Sequence, residues 1–200
     1  MTLILPGTLV AKKPINTDYT YVENGNTYAA VIGIYDGPKE RFIPLKGPYI
    51  PSVRDLVVGV VEEERHVGYE VDIFSPYKGF IFSKRLRESF NQRNILMAEV
   101  ASVSEVKDVM LSRPRRLIGG RLMLISPTKV SRLIGRNSSM INIIKSKTKC
   151  DIIVGKNGGV WIKGDKIQLA IDTIMKIERE AHTKGLTDKI DKFLSQELKE

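Results

Sequence analysis

The spacing of apolar residues changes after about residue 120, and this change constrains the fold more than any other feature of the chain. Before it, short runs rich in valine, isoleucine and tyrosine are separated by turn residues, which is typical of β-strands. After it, Ile167, Ala170, Ile174 and Ile177 recur every three or four positions, which predicts an amphipathic helix. The 200 residues therefore predict a multidomain α+β protein whose β-rich part comes first.

Residues 1–52 are predicted to form a small N-terminal β domain. Two turn signals, Asn24-Gly25 and Asp36-Gly37, lie between runs of β-forming residues, as in hairpins whose turns need positive φ. The domain boundary is marked by three prolines, Pro44, Pro48 and Pro51.

Residues 53–112 resemble a five-stranded OB-type β-barrel. The alternation of Tyr69, Val71 and Ile73 predicts one inward-facing set of side chains, with Glu70 and Asp72 pointing outward. Residues 113–120, "RPRRLIGG", are predicted to be a basic linker. The barrel and the linker supply the first group of candidate RNA-binding residues.

The barrel resembles the OB-type RNA-binding module repeated in the largest protein of the bacterial small ribosomal subunit, on the stretch "GYEVDIFSPYKGFIFS". That resemblance implies base stacking on aromatic rings with cationic side chains around them. The candidate rings are Tyr69, Phe74, Tyr77, Phe80 and Phe82, about half of which alternation places in the core. Tyr69 and Tyr77 are predicted to be exposed because their hydroxyl groups prefer water. The cationic candidates are Arg65, His66, Lys78, Lys84, Arg85 and Arg87 in the barrel, and Arg113, Arg115 and Arg116 in the linker.

Residues 121–185 resemble a type I KH domain, with the order strand, helix, helix, strand, strand, helix, and residues 186–200 predict a further C-terminal helix. A KH domain holds nucleic-acid backbone at a G-x-x-G loop between its first two helices. Here the loop reads Gly135-Arg136-Asn137-Ser138, so its second glycine is replaced, and the hydroxyl group of Ser138 or of Ser139 is predicted to cap the second helix. The candidate RNA-binding residues are Lys129, Arg132, Ile134, Gly135, Arg136, Asn137 and Ser138.

Two further features of this last part favour structural roles. The glycine-containing stretch Lys156–Gly159 is predicted to be a hairpin turn, since no helix follows it to bind phosphate. The single tryptophan, Trp161, is predicted to pack on an edge strand beside the last helix instead of stacking on a base.

The composition predicts a nucleic-acid partner and gives no sign of catalysis. The formal net charge of +9 attracts polyanions. The sequence lacks a phosphate-binding P-loop, a nucleophile elbow and an H-E-x-x-H motif. One cysteine and two isolated histidines predict no disulfide and no zinc site, and we expect no cofactor and no metal. No apolar run is long enough to cross a bilayer, so we expect a cytoplasmic protein without membrane contact.

Across its whole length the chain is similar to the RNA-binding cap subunits of the archaeal exosome, the ribosomal-RNA-processing protein four family. The similarity includes "LPGTLV", "GNTYAAVIGIYDG", "VDIFSPYKGF", "SPTKVSRLIGRNSS" and "VGKNGGVWIKG". It implies a non-catalytic subunit that captures single-stranded, A-rich RNA. It also implies a homo- or heterotrimeric cap that guides RNA 3′ ends into a phosphorolytic hexameric ring of RNase-PH-like subunits, docked through its N-terminal and KH domains.

One alternative stays open within the RNA-binding proteins. Transcription elongation and antitermination factors also place an OB module before KH modules. They usually carry two KH copies and a helical N-terminal segment, whereas this sequence predicts one KH domain and a β-rich start.

Overall fold

The computed structural model of the chain describes residues 2–15, 19–36, 41–86, 88–106, 108–181, 183 and 185–198; the side chains of Arg41 and Arg85 lie outside the described part. The chain divides into two compact units, Met1–Pro48 and Tyr49–Glu200. The first unit contains only β-structure in its described residues, and the second contains a barrel followed by an α+β domain. The predicted fold class is confirmed.

The first unit is built from two three-stranded antiparallel sheets, with strand orders β1-β5-β6 and β2-β4-β3. The hairpin predicted at Asn24 and Gly25 is confirmed, because both residues have positive φ between the paired strands β3 and β4. The core contains Ile4, Val10, Ala29 and Phe42. The strands are β1 (Thr2–Ile4), β2 (Leu9–Ala11), β3 (Thr20–Glu23), β4 (Asn26–Ala29), β5 (Gly33–Asp36) and β6 (Arg41–Pro44). The predicted turn residue Gly37 lies outside the described residues, although the strands on either side of it pair as expected.

The second unit begins with a closed five-stranded barrel of strand order β10-β11-β9-β8-β7. Its strands are β7 (Leu56–Arg65), β8 (Gly68–Asp72), β9 (Gly79–Phe82), β10 (Ile95–Val103) and β11 (Val109–Arg116). The predicted alternation in β8 is confirmed, since Tyr69 and Val71 are buried in the barrel core while Glu70 and Asp72 are partly exposed. Gly59 lies so close to β8 that a Cβ atom there would be 2.7 Å from the Asp72 carbonyl oxygen.

The basic linker predicted at residues 113–120 is wrong in its first half. Strand β11 continues to Arg116, where it pairs with Leu96 of β10. A bulge interrupts the pairing between Met97 and Glu99, and Arg113 lies opposite this irregularity with a φ of 50°. The sequence "RPRR" has no apolar alternation because this part of β11 pairs with β10 beyond the short pairing of β11 with β9, and its arginines are exposed.

The α+β domain has the strand and helix order predicted for a KH domain. Its elements are β12 (Arg121–Leu124), α1 (Val130–Ile134), α2 (Ser139–Thr148), β13 (Cys150–Val154), β14 (Gly159–Gly164), α3 (Ile167–Glu180) and α4 (Leu186–Glu197). The sheet order is β12-β14-β13, so β14 is the central strand. The helices cover one face of the sheet over a core that includes Ile144, Ile152, Ile162 and Ile174.

The predicted C-terminal helix is confirmed as α4, and it belongs to the same core as the other three helices. Ile190 and Leu194 are fully buried in that core. Lys147 of α2 fixes the outer side of α4, because its ammonium group lies 2.7 Å from the Asp191 carboxylate and donates to the Ser195 hydroxyl over 2.6 Å.

The turn predicted at Lys156–Gly159 is confirmed, and it joins the KH domain to the barrel. The Asn157 side chain is 2% exposed. Its amide group donates to the carbonyl oxygens of Val58 and Ile73 over 2.7 Å each, and its oxygen accepts the Val58 N–H over 3.2 Å. Beside it, the Lys156 N–H donates to the Leu56 carbonyl oxygen over 2.7 Å. The turn therefore supplies hydrogen bonds to β7 before that strand begins to pair with β8 at Val60.

Trp161 packs at this same junction. It is 6% exposed, lies against Val58 and Leu117, and donates its indole N–H to the Gly119 carbonyl oxygen over 2.7 Å. The predicted packing role is confirmed, but its predicted place on an edge strand is wrong because β12 and β13 flank β14 on both sides. In the sheet, Trp161 lies opposite Leu122 on one side and Ile153 on the other. These three side chains lie on the sheet face opposite the helices and pack with Val58 of the barrel.

Replacing Asn157 by Ala should lower the free energy of unfolding of the second unit by about 3–5 kcal/mol. Three buried backbone groups lose their partner, and each such loss costs roughly 1–3 kcal/mol. Urea unfolding followed by Trp161 fluorescence measures the effect. Asn142→Ala, on the exposed side of α2, is the matched control and should unfold like the wild-type protein. A midpoint for Asn157→Ala equal to that of the control would contradict the prediction.

Candidate nucleic-acid interface

Two of the predicted RNA-binding cations of the barrel are held by acidic side chains. Arg65 lies 2.5 Å from the Glu70 carboxylate and 3.1 Å from that of Glu63. Lys78 lies 2.6 Å from Glu70 and 2.7 Å from Glu62. Both cations remain more than half exposed, but their charge is balanced within the barrel surface. His66, between β7 and β8, is exposed.

The three carboxylates of Glu62, Glu63 and Glu70 determine how much positive charge is available on the face formed by β7 and β8. The hydrogen bond from Lys78 lowers the pKa of Glu70 below its ordinary value of 4.5, and the charge of Arg65 lowers it further. The same carboxylates raise the pKa of Lys78, with Glu62 contributing most. Since the folded state holds Glu70 ionised, the ion pairs are present at neutral pH and are lost only as the pH falls through the lowered pKa. At neutral pH this face therefore offers little free positive charge to a phosphate group.

The exposed aromatic ring of the barrel is not one of the two predicted. Tyr69 is wrong as an exposed ring: it is 5% exposed and meets Phe90 edge to face, with ring centroids 5.5 Å apart. Tyr77 is half-buried against the barrel core. Phe82 is 52% exposed and contacts Phe80 edge to face. The signal was present in "GFIF", because an inward Ile81 requires its neighbours to point outward.

Phe82 lies at a cleft of about 870 Å³ on the barrel surface. The cleft has an apolar lining that includes Leu86, Phe90 and Met110. Lys84 is exposed in this lining, and Arg113, also in it, is held by the Glu99 carboxylate over 2.8 Å. Glu88 also lines the cleft. An apolar hollow with an exposed ring and an exposed lysine, Lys84, is suited to a nucleobase and its phosphate. Of the other predicted cations here, the side chain of Arg85 and all of Arg87 lie outside the described residues.

The loop between α1 and α2 has the geometry of a tight helix connection. Gly135 has φ 76° and ψ 173°, and a Cβ atom there would lie 2.8 Å from the Met140 nitrogen. Asn137 and Ser138 both adopt left-handed conformations, with φ of 50° and 61°. Arg136, Asn137 and Ser138 are exposed and Gly135 is half-buried. The loop can thus present Arg136 to solvent.

The predicted cap at Ser138 is wrong. Its backbone is left-handed and its hydroxyl makes no capping hydrogen bond to the described part of α2. A cap residue normally has an extended backbone, which directs its side chain toward the first free N–H groups. The left-handed backbone of Ser138 instead occupies a conformation that glycine adopts without cost.

The remaining predicted KH residues do not converge on one point. Arg132 is exposed on α1, Lys129 is half-buried in the short turn of 3₁₀ helix before α1, and Ile134 is half-buried against the core. Arg115 and Arg116 are exposed at the end of β11, where the sequence predicted a linker. No group of three or more described His, Cys, Asp and Glu residues is arranged to hold a metal ion, and no described helix is long and apolar enough to cross a membrane.

Replacing Ser138 by Gly should raise the stability of the KH domain by about 1 kcal/mol, because glycine removes the cost of a left-handed backbone. RNA affinity should change less than twofold if the loop is an auxiliary contact. Ser139→Gly is the matched control: Ser139 has helical φ and ψ, so glycine there should destabilise by roughly 0.5–1 kcal/mol. Urea unfolding and RNA titration measure both quantities. A large gain in RNA affinity for Ser138→Gly would identify the loop as the principal RNA site.

Comparisons with known proteins agree with this architecture. A family model described as a KH domain matches residues 120–168. A solved structure described as a candidate exosome complex RNA-binding protein superimposes with a TM-score of 0.68 and 28% identity, covering 76% of this chain and 97% of that one.

Similar proteins extend over nearly the whole chain. The exosome complex component Rrp4 of Thermococcus kodakarensis is 40% identical, over 99% of this chain and 86% of its own length. The protein of the same name from Methanobrevibacter smithii is 41% identical, over 96% of this chain and 70% of its own length. With this identity from end to end, the chain belongs to the family of the exosome complex component Rrp4.

Proposed function

We propose that the chain is a non-catalytic RNA-binding component of an archaeal exosome. In this role it is one subunit of a homo- or heterotrimeric cap on a phosphorolytic hexameric ring of RNase-PH-like subunits. It captures single-stranded RNA, with a preference for A-rich sequence, and guides the 3′ end toward the pore of the ring. The observation that carries this proposal is the similarity to Rrp4 proteins over 99% of the chain.

The barrel cleft supports RNA capture. Phe82 offers an exposed π-face, and Lys84 offers a cation in the same cleft. Stacking on an aromatic ring tolerates any base, which suits a protein that must accept many RNA ends. The net charge of +9 adds long-range attraction for the RNA backbone. Arg65 and Lys78 contribute less in this proposal, since acidic neighbours already balance them.

The first unit supports docking to the ring. Leu3 and Leu5 are 60% and 57% exposed, and Leu9 of β2 is also exposed. Large exposed apolar patches mark surfaces that another protein covers, and in this proposal the three leucines belong to such a surface. In the proposed cap, this unit and the KH domain contact the ring, and the barrel is left to meet RNA.

The transcription-factor alternative loses its support from the same comparisons. Its two distinguishing features are a second KH copy and a helical N-terminal segment, whereas the described residues before Pro48 form only strands and turns. The relatives named above are exosome components by name. Copurification separates the two roles, because RNA polymerase as the partner would favour the alternative and the ring would favour the cap.

Phe82→Ala should weaken binding of a single-stranded oligoadenylate by about fivefold or more, since stacking of one base is worth roughly 1–3 kcal/mol. Fluorescence anisotropy with labelled RNA measures the change. Phe82→Tyr keeps the ring and should bind like the wild-type protein. Val67→Ala, another exposed apolar residue of the barrel, controls for loss of apolar surface. Equal affinities for Phe82→Ala and Val67→Ala would place the RNA path elsewhere.

The non-catalytic role is tested with labelled RNA incubated with the purified chain alone, with the RNase-PH-like ring, and with both. We expect no shortening by the chain alone with phosphate or divalent metal. Adding the chain to the ring and phosphate should accelerate shortening, and native mass spectrometry should show three cap subunits on each ring. Shortening by the chain alone would refute the non-catalytic role, and a chain that never joins the ring would refute the cap.

A further inference from the structure

Two adjoining cavities lie where the end of the barrel meets the edge of the KH sheet. One has a volume of about 410 Å³ and is lined partly by Arg115 and Arg116. The other has a volume of about 650 Å³ and is lined partly by Lys149. Lys145 and Lys163 line both cavities, so the two form one continuous concave surface.

Three different elements place these cations together. Arg115 and Arg116 end strand β11, and Lys163 lies on β14 directly opposite Asp151 of the edge strand β13. Lys145 is in the last turn of α2, and Lys149 directly follows the helix end at Thr148; both line the larger cavity. The hydrogen bonds of Asn157 hold the barrel against the KH domain, and they thereby fix the arginines beside the lysines. We call Arg115, Arg116, Lys145, Lys149 and Lys163 the junction cations.

The junction cations are grouped on one surface, and within the described residues none of them has an acidic partner. None of the five forms an ion pair with any residue in the described ranges, whereas Arg65, Lys78, Arg113 and Lys147 all do. Asp151 is the single carboxylate among the described residues that line either cavity. Five cations facing one carboxylate repel each other, so the surface gains free energy when an anion enters it.

The shape of this surface selects among anions. Its cations are spread along two adjoining cavities and do not converge on one point, which fits a chain of phosphates better than one phosphate ion. Ile118, 66% exposed, and Ile153 provide apolar lining next to the arginines. Alternating charge and apolar surface within a groove match the backbone and bases of a single strand, whereas a folded acidic protein needs a broader contact surface.

We propose that the junction cations bind the phosphodiester backbone of single-stranded RNA, as a second contact surface besides the barrel cleft. This inference rests on the proposed function and extends it. The surface is distinct from the loop Gly135–Ser138, because two of its lysines lie in the last turn of α2 and just after it; the nearer one, Lys145, is seven residues past Ser138, roughly 10 Å along the helix. RNA captured at the barrel would thus be held over a longer path, chiefly by contacts between its phosphates and the junction cations.

The test is a salt titration of single-stranded RNA binding to the full chain. In the triple variant Lys145→Gln, Lys149→Gln and Lys163→Gln, the slope of log affinity against log salt should fall in magnitude by about 2, since each phosphate contact on a single strand contributes roughly 0.7. Affinity in 0.1 M salt should fall about tenfold or more. The matched control Lys46→Gln, Lys189→Gln and Lys192→Gln removes the same charge from exposed positions elsewhere and should change the slope much less.

A second variant is expected to gain RNA affinity, a result that misfolding would not produce. Asp151→Asn removes the one carboxylate of the surface and should tighten RNA binding by about twofold to fivefold, the range of one exposed ion pair. Equal slopes for the triple variant and its control, together with unchanged affinity for Asp151→Asn, would overturn the inference.

The outcomes also separate this inference from the proposed function. If Phe82→Ala weakens RNA binding while the junction variant binds like its control, RNA capture stands and the junction surface is not part of it. If the junction variant binds RNA normally but no longer joins the RNase-PH-like ring, the surface contacts protein and the inference is wrong. If the wild-type chain binds no single-stranded RNA, the proposed function and this inference both fail.

Discussion

The Asn157 side chain makes three hydrogen bonds to the barrel backbone, and the arrangement of the second unit depends on them. The first residues of β7 pair with β10 on one side, but pairing with β8 on the other side starts only at Val60. On that second side, buried N–H and C=O groups such as those of Val58 would otherwise lack partners. The KH turn supplies those partners through Lys156 and Asn157. A Cβ atom at Gly155 would lie 2.6 Å from the Val58 nitrogen, which explains why glycine precedes the turn. The barrel therefore depends on the KH turn for hydrogen-bond partners of its own backbone.

The contact between the barrel and the KH domain determines where positive charge is available for a polyanion. On the face of β7 and β8, Glu62, Glu63 and Glu70 balance the nearby cations and hold them in ion pairs. At the junction, the cations of β11 meet those of α2 and β14, and Asp151 is their single acidic neighbour in the cavity lining. A net charge of +9 describes neither surface, because it averages over balanced and unbalanced regions. Recognition of RNA depends on the local balance.

Much of the architecture was predictable from sequence because its signals are periodic. Apolar spacing of three to four residues predicted α3, and alternation predicted the inward side of β8. The same reasoning failed for the aromatic rings, where the solvent preference of the Tyr69 hydroxyl was given more weight than the alternation that buries the ring. It also failed for residues 113–116, since this part of β11 extends past its pairing with β9 and is largely exposed, so it has no alternation of buried apolar residues.

The sequence by itself determined the order and type of the elements, the identity of the KH module and the family to which the chain belongs, because those follow from local patterns and from similarity along the chain. Only the tertiary structure decided which cations are free, which aromatic ring is exposed and that Asn157 joins two domains. Each of these depends on contacts between residues far apart in sequence, such as the 99 positions that separate Asn157 from Val58. Local sequence patterns do not predict such contacts, because long-range hydrogen bonds and ion pairs depend on which elements pack together.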